Sequence, residues 1–218
     1  MNLLQIVPDV LANALAGPLP GLNAQLRMAP SYRTDPSQVS VVDKDCRVGG
    51  VLVLLYPRDG LLHVLLTVRT HVLRNHSGQV SFPGGGCEPG ESPREAALRE
   101  AQEECGVEPA SIRLLGGLTP LYIPPSNFCI YPQVGFSATP PDLRPHTDEV
   151  AALLEVPLPF LAAPGTRQAE FWELRGQQVR VPFFAIGAHK VWGATAMVLS
   201  ELLTILGRLG LSQEPQPS

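Results

Sequence analysis

The sequence predicts an α+β fold, an α/β/α sandwich with a mixed β-sheet held between helices. Two apolar, β-branched runs around a turn sequence read as a β-hairpin, a capped and charged helix follows, and a second helical pattern closes the chain. Strand-like and helix-like stretches alternate irregularly, which suits a mixed sheet covered by helices. The 218 residues, 44% hydrophobic and 17% charged, suffice for one domain with its own core. The 23 prolines are spread through loops instead of gathering into a linker. The expected organisation is therefore an extension at 1–45 packing on the core, one domain at 46–210 and a flexible tail at 211–218.

In chain order, Leu3, Leu4, Val7, Val10, Leu11 and Leu15 fall at helical spacing. They predict a short helix packed on the core, the alternative being a contact between copies of the chain in a homo-oligomer. Gly17-Pro18 and Pro20-Gly21 break it, and Leu22–Pro36 reads as loop. Val48–Tyr56 and Leu61–Val68 flank Pro57-Arg58-Asp59-Gly60, a turn sequence, and form the hairpin. Ile112–Ile123 and Phe128–Ser137 read as two further strands joined by Pro124-Pro125-Ser126-Asn127, and Phe171–Leu174 and Val179–Ala185 as short strands around Gly176. Ala194–Leu209 has a helical apolar pattern that covers one face of the sheet, with Met197 as core filler.

Composition excludes several classes of function. A net charge of −4 with no basic stripe argues against a nucleic-acid platform. No run reaches the roughly 18 apolar residues of a membrane span. Met1 to Ala16 lacks a basic start and carries Pro8 and Asp9, so it does not read as a secretory signal. Cys46, Cys87, Cys105 and Cys129 show no metal or redox spacing and read as reduced cysteines, which points to the cytoplasm.

The stretch from Gly85 to Val107 carries the chemistry. Its first part is a Gly/Pro loop. Ser92 and Glu95 then make a capping box, Pro93 suits the first helical position, and Gly106 suits a left-handed stop. Glu100, Glu103 and Glu104 stand at i, i+3 and i+4, so three like charges share one helix face and repel. A solvated acidic face is the ordinary reading; a cation on that face is the other. Hard carboxylate oxygens without paired Cys or His suit Mg²⁺ or Mn²⁺ over zinc. The chain from Gly85 through Glu91, Arg99 and Glu100 to Val107 resembles the full signature of the Nudix hydrolases, G-x5-E-x7-R-E-U-x-E-E-x-G-U, with U aliphatic. Every charged and glycine position matches, and Ala101 and Val107 fill the apolar ones.

Immediately upstream, Leu65 to Gly85 places Arg69, Arg74, His71, His76 and Gln79 at the end of a strand beside the acidic helix. Guanidinium forks suit phosphate oxygens. The run resembles the motif of the coenzyme A diphosphatases within the Nudix superfamily, L-L-T-x-R-[S/A]-x3-R-x3-G-x3-F-P-G-G. It matches at Leu65, Leu66, Thr67, Arg69, Arg74, Gly78, Phe82, Pro83, Gly84 and Gly85, and departs at Thr70. Trp192-Gly193-Ala194-Thr195-Ala196 also looks like this family.

The resemblance implies a Nudix fold and metal-assisted hydrolysis of the diphosphate of coenzyme A, giving 4′-phosphopantetheine and adenosine 3′,5′-bisphosphate. It implies Glu100, Glu103 and Glu104 as ligands of Mg²⁺ or Mn²⁺, joined by the Gly85 carbonyl. Glu103 or Glu149 is the expected general base, and the Glu91–Arg99 pair is expected to bind the loop to the helix. Arg69, Arg74, His76, Gln79 and Phe82 are the expected substrate contacts, and Tyr122, Phe128 and Tyr131 a wall that stacks on adenine. Glu104 is expected on the exposed acidic face. Two other readings stay open: hydrolysis of another nucleoside diphosphate derivative such as ADP-ribose, and a non-catalytic nucleotide-binding module, which requires a lost metal glutamate.

Overall fold

The computed structural model describes residues 3–70, 78–174 and 176–211. In chain order it contains α1 (Leu3–Ala16), α2 (Leu22–Gln25), α3 (Pro36–Val39), β1 (Arg47–Arg58), β2 (Leu61–Arg69), β3 (Val80–Ser81), β4 (Gly84–Gly86) and α4 (Pro93–Cys105). There follow β5 (Arg113–Gly117), β6 (Leu121–Ile123), β7 (Phe128–Phe136), β8 (Val150–Pro157), α5 (Leu158–Ala162), β9 (Arg167–Leu174), β10 (Gln177–Ile186), β11 (His189–Trp192) and α6 (Gly193–Arg208).

Strand β1 is the axis of the molecule. It pairs antiparallel with β2 and β4 and parallel with β7, making the mixed sheet β3-β2-β1-β7-β5, with β8 on β2 and β6 on β7. A second, antiparallel sheet runs β11-β10-β9. Side chains alternate along a strand, and both faces of β1 are covered. Leu52, Leu54 and Tyr56 pack with Ala97, Ala101 and Cys105 of α4, while Val53 and Leu55 join α1 and α6 through Val7, Leu11, Leu15, Leu199 and Leu202. The sheet therefore lies between helices, as predicted. At Gly50 a Cβ would lie 1.8 Å from the Pro93 carbonyl, so the start of α4 rests directly on β1.

Buried Glu201 of α6 anchors the preceding segments. It accepts from the Gly21 N–H (3.0 Å), Gln25 Nε2 (2.8 Å), the Thr119 N–H (3.1 Å) and Thr119 Oγ1 (2.7 Å). The four donors fill the acceptor sites of its two oxygens. The region expected as loop at Leu22–Pro36 is thus more ordered: α2 is followed by tight helical turns at Leu26–Met28 and Ser31–Arg33.

Other expectations need correction. Ile112–Ile123 is two strands, because Pro120 lacks an N–H and the preceding Leu118 and Thr119 donate to Pro132 and Glu201. β3, β4, β8 and β11 are additional, β4 standing at the expected start of the Gly/Pro loop, and β9 begins at Arg167, ahead of Phe171. Cys46 and Cys129 form a disulfide, so these two are not reduced. Parallel pairing sets Arg47 opposite Phe128, which brings the neighbouring cysteines to a Cα separation of 5.8 Å, the usual disulfide span. Among the described residues, no helix is long and apolar enough to cross a membrane.

Candidate active site

Helix α4 is fixed at both ends by its own sequence. Ser92 Oγ accepts from the Glu95 N–H at 3.3 Å, and the Glu95 carboxylate accepts from the Ser92 N–H at 2.9 Å. Gly106 stops the helix at φ 72°, a left-handed conformation that glycine takes without penalty.

Arg99 sits at the centre of the loop–helix junction. Its Nε and Nη2 donate to the two Glu91 oxygens at 2.9 and 3.0 Å, and Nη2 also to the Gly86 carbonyl at 3.0 Å. Its Nη1 reaches Glu100 at 2.9 Å and Glu103 at 3.2 Å. The Arg99 bond, then the Glu88 N–H, hold the Glu91 carboxyl below its usual range. One guanidinium thus both closes the loop and damps the repulsion along the acidic face.

Glu104 is not exposed: its relative exposure is 5%. Its side chain reaches back to β4, and a loop the sequence could not place covers the end of the helix. Backbone N–H groups of Arg144 and His146 donate to the Cys105 and Glu104 carbonyls at 2.7 and 2.9 Å, laying residues 144–149 over the end of α4. Glu104 Oε2 accepts from the Gly84 N–H at 3.1 Å. Burial pushes this carboxyl up to about 7; the Gly84 N–H and Arg69 pull it down, and Glu100 and Glu149 push it up. Burial also raises Glu100. At Gly85 a Cβ would lie 2.2 Å from Glu100 Oε1, so the glycine lets the loop backbone reach the carboxylate.

The same loop delivers Glu149. The Thr70 N–H donates to the Glu149 carbonyl at 2.9 Å and Thr70 Oγ1 to the Asp148 carbonyl at 3.0 Å. Thr70, where this chain departs from the upstream motif, uses its hydroxyl to hold that loop. Glu100, Glu103, Glu104, Glu149 and His146 line one cavity of about 260 Å³. His146 was missed, because nothing in its local spacing distinguishes it from any loop histidine. Among the described residues, no three His, Cys, Asp or Glu side chains converge as a ready-made metal cage; Arg99 instead holds two of the carboxylates. The donor set nonetheless fits a hard divalent ion. It is all-oxygen but for one imidazole, and its one buried member, Glu104, is ionised more readily when a cation stands beside it.

A second cavity, about 290 Å³, adjoins the first through the Gly84–Glu104 hydrogen bond. Arg69, Gln79, Phe82 and Gly84 line one side; Trp192, Gly193, Ala194 and Thr195 line the other. Thr195 Oγ1 donates to the Val80 carbonyl at 3.0 Å, clamping α6 onto β3. The two separate stretches that resemble one family thus meet in one cavity. Arg74 and His76 lie outside the described residues. Of the three aromatics expected to form a wall, Phe128 lies under Gly49 and Gly86, and Tyr122 faces a different cavity with Arg33 and Lys44.

A family model described as the NUDIX domain matches residues 47–169. The chain belongs to the Nudix family. Relatives agree: an uncharacterized Nudix hydrolase NudL of Pectobacterium atrosepticum is 38% identical over 181 residues, covering 82% of this chain and 88% of its own. The NudL of Photorhabdus laumondii is 39% identical over 142 residues, covering 64% of this chain and 74% of its own. A MutT/nudix family protein from Enterococcus faecalis, 18% identical, superposes with a TM-score of 0.51 over 77% of this chain and 68% of that one, a likeness of fold. The chain is accordingly a Nudix hydrolase acting on diphosphate bonds, in a family that generally works with divalent metal ions.

Proposed function

We propose that the chain hydrolyses the diphosphate of coenzyme A, yielding 4′-phosphopantetheine and adenosine 3′,5′-bisphosphate. The observation that carries this reading is the cavity in which the upstream motif residues Arg69 and Phe82, with the neighbouring Gln79, face Trp192–Thr195, beside the acidic cluster. Residues 46–210 make up the catalytic domain on this reading, with 1–45 an extension and 211–218 a tail.

Glu100, Glu103 and Glu104, with the Gly85 carbonyl, would hold Mg²⁺ or Mn²⁺, which when bound neutralises phosphate charge and acidifies water. Arg69 balances the remaining charge of the diphosphate with its fork of donors. Glu149 serves as general base in preference to Glu103, since Glu103 is engaged by Arg99 and Glu149 has no ion-pair partner among the described residues. It takes the proton of the attacking water as the bridging P–O bond breaks and the leaving phosphate departs. Arg99 and Glu91 position the loop and touch no reacting atom. All the metal glutamates are present, which disfavours a non-catalytic module.

Gly85→Ala is expected to fold, since the added methyl meets a carboxylate end that can swing aside. Displacing Glu100 should cost about tenfold to a hundredfold in kcat; an unchanged kcat would contradict its place in the site. The raised Glu104 sets a pH dependence. A carboxyl whose folded value is raised contributes stability below the ordinary glutamate range and loses it as pH climbs through about 7. The metal-free protein should therefore lose stability over that interval, and Mg²⁺ or Mn²⁺ should bind more tightly as pH passes 7, releasing a proton. Calorimetry in buffers of different ionisation heat reads the proton directly; affinity independent of pH between 5.5 and 8.5 would contradict it.

The substrate is tested by comparing kcat/KM for coenzyme A, acetyl-coenzyme A and ADP-ribose with metal present. A clear preference for coenzyme A or its thioester is expected, and cleavage of ADP-ribose alone would reject the assignment.

A further inference from the structure

A third cavity, about 430 Å³, continues from the second and shares Tyr32, Arg33 and Pro125 with it; Gln38, Lys44, Tyr122 and Pro124 complete its walls. No motif described above includes its two cations. Arg33 is 5% exposed, yet among the described residues its Nε has no hydrogen-bond partner, and its Nη2 donates to the Tyr122 carbonyl. Lys44 Nζ stands 5.4 Å from the centre of the Tyr122 ring. Among the described residues, no carboxylate pairs with either cation.

An unpaired, buried guanidinium is costly, and here it borders a cavity from which an anion can reach it. The segment that holds it is built to stay put. The Arg33 N–H donates to the Pro30 carbonyl at 2.8 Å, and Ser31 Oγ accepts from the Arg180 N–H of β10 at 3.1 Å. Tyr122 and the two prolines add a flat apolar wall of the kind a purine ring lies against.

We infer that Arg33 and Lys44 form an anion subsite that takes a phosphate monoester on the far side of the nucleoside from the scissile diphosphate. For the coenzyme A reading, on which the choice of ligand rests, this is the ribose 3′-phosphate. Recognition there separates substrates with a third phosphate from ADP-ribose-like ones without it. The acidic cavity is useless for this purpose without added cations, whereas the Arg33–Lys44 pair supplies its own positive charge.

Calorimetric titration of the full chain with adenosine 3′,5′-bisphosphate and adenosine 5′-monophosphate, both with Mg²⁺ present, tests this apart from turnover. The bisphosphate should bind at least about tenfold more tightly, the effect of one or two charged hydrogen bonds. Lys44→Ala, an exposed change that does not threaten folding, should shrink that preference to below about threefold. Arg33→Gln should abolish it, with circular dichroism checking the fold. Equal affinities in the unaltered chain, or an unchanged preference in Lys44→Ala, would overturn the subsite. A chain that keeps the preference but cleaves ADP-ribose and not coenzyme A retains the subsite and loses the substrate assignment.

Discussion

Glu104→Gln is expected to remove metal-dependent turnover while leaving the fold intact. The glutamine oxygen can still accept from the Gly84 N–H, and the side chain fits the space under residues 144–149. What disappears is the negative charge that draws a divalent ion into the cavity. Such an ion contributes several kcal/mol of charge stabilisation, so a fall of roughly 10²–10³-fold in kcat follows. Stability should move the other way. Above pH 7 the metal-free protein carries a charge that burial disfavours, by on the order of 1–3 kcal/mol. Glu104→Gln should then raise the melting midpoint of the metal-free protein at pH 8, the trade between function and stability expected of a buried ligand. Full activity, or a large loss of stability at pH 8, would contradict this account of the residue.

Arg99→Lys is expected to lower both stability and activity although the charge is kept. Among the described residues Arg99 makes five hydrogen bonds to Glu91, Gly86, Glu100 and Glu103, and an ammonium has neither the reach nor the fork to replace them. The 86–91 loop loosens from α4, Glu100 and Glu103 regain their mutual repulsion, and the Gly85 backbone drifts from the Glu100 carboxylate. The melting midpoint should fall by several degrees, with kcat reduced by about tenfold or more. The test that separates positioning from chemistry is the pH profile: its shape should survive in Arg99→Lys at reduced height, because the residue exchanges no proton. A shifted profile would show that Arg99 does more than position.

Elements fixed by local interactions are legible in the sequence. The capping box, the proline at the first helical position and the left-handed Gly106 all lie within α4 and its flanks, so the helix and its glutamate spacing are legible in full. The β1–β2 hairpin is equally local: Asp59 and Gly60 both take positive φ, the geometry a two-residue turn between antiparallel strands demands. Long-range pairing is what the sequence conceals. β8 reads Val-Ala-Ala-Leu-Leu-Glu-Val-Pro, a run with as much helix as strand preference, and becomes a strand only by lying against β2. The Cys46–Cys129 bridge spans 83 residues and depends on parallel pairing of β1 with β7.

The site divides in the same way. Spacing along α4 places Glu100, Glu103 and Glu104 on one side of the helix, but it cannot say which of them is buried. That is decided by long-range contacts: Gly84 of β4 bonds the Glu104 carboxylate, and residues 144–149 fold back over the helix end, which also brings His146 into the cavity. Thr70 looks like a minor departure from a motif until its hydroxyl is seen holding the Asp148–Glu149 backbone. Arg33 falls in the stretch read as loop and Lys44 further along the N-terminal extension, and only the fold brings both to Tyr122.

The decisive measurement is of the products formed from coenzyme A, resolved by chromatography with and without Mg²⁺, for the unaltered chain and for Glu104→Gln. Adenosine 3′,5′-bisphosphate and 4′-phosphopantetheine should appear in equal amounts, only with metal, and only from the unaltered chain. Release of the same products without metal, or at an undiminished rate by Glu104→Gln, would contradict the proposed reaction.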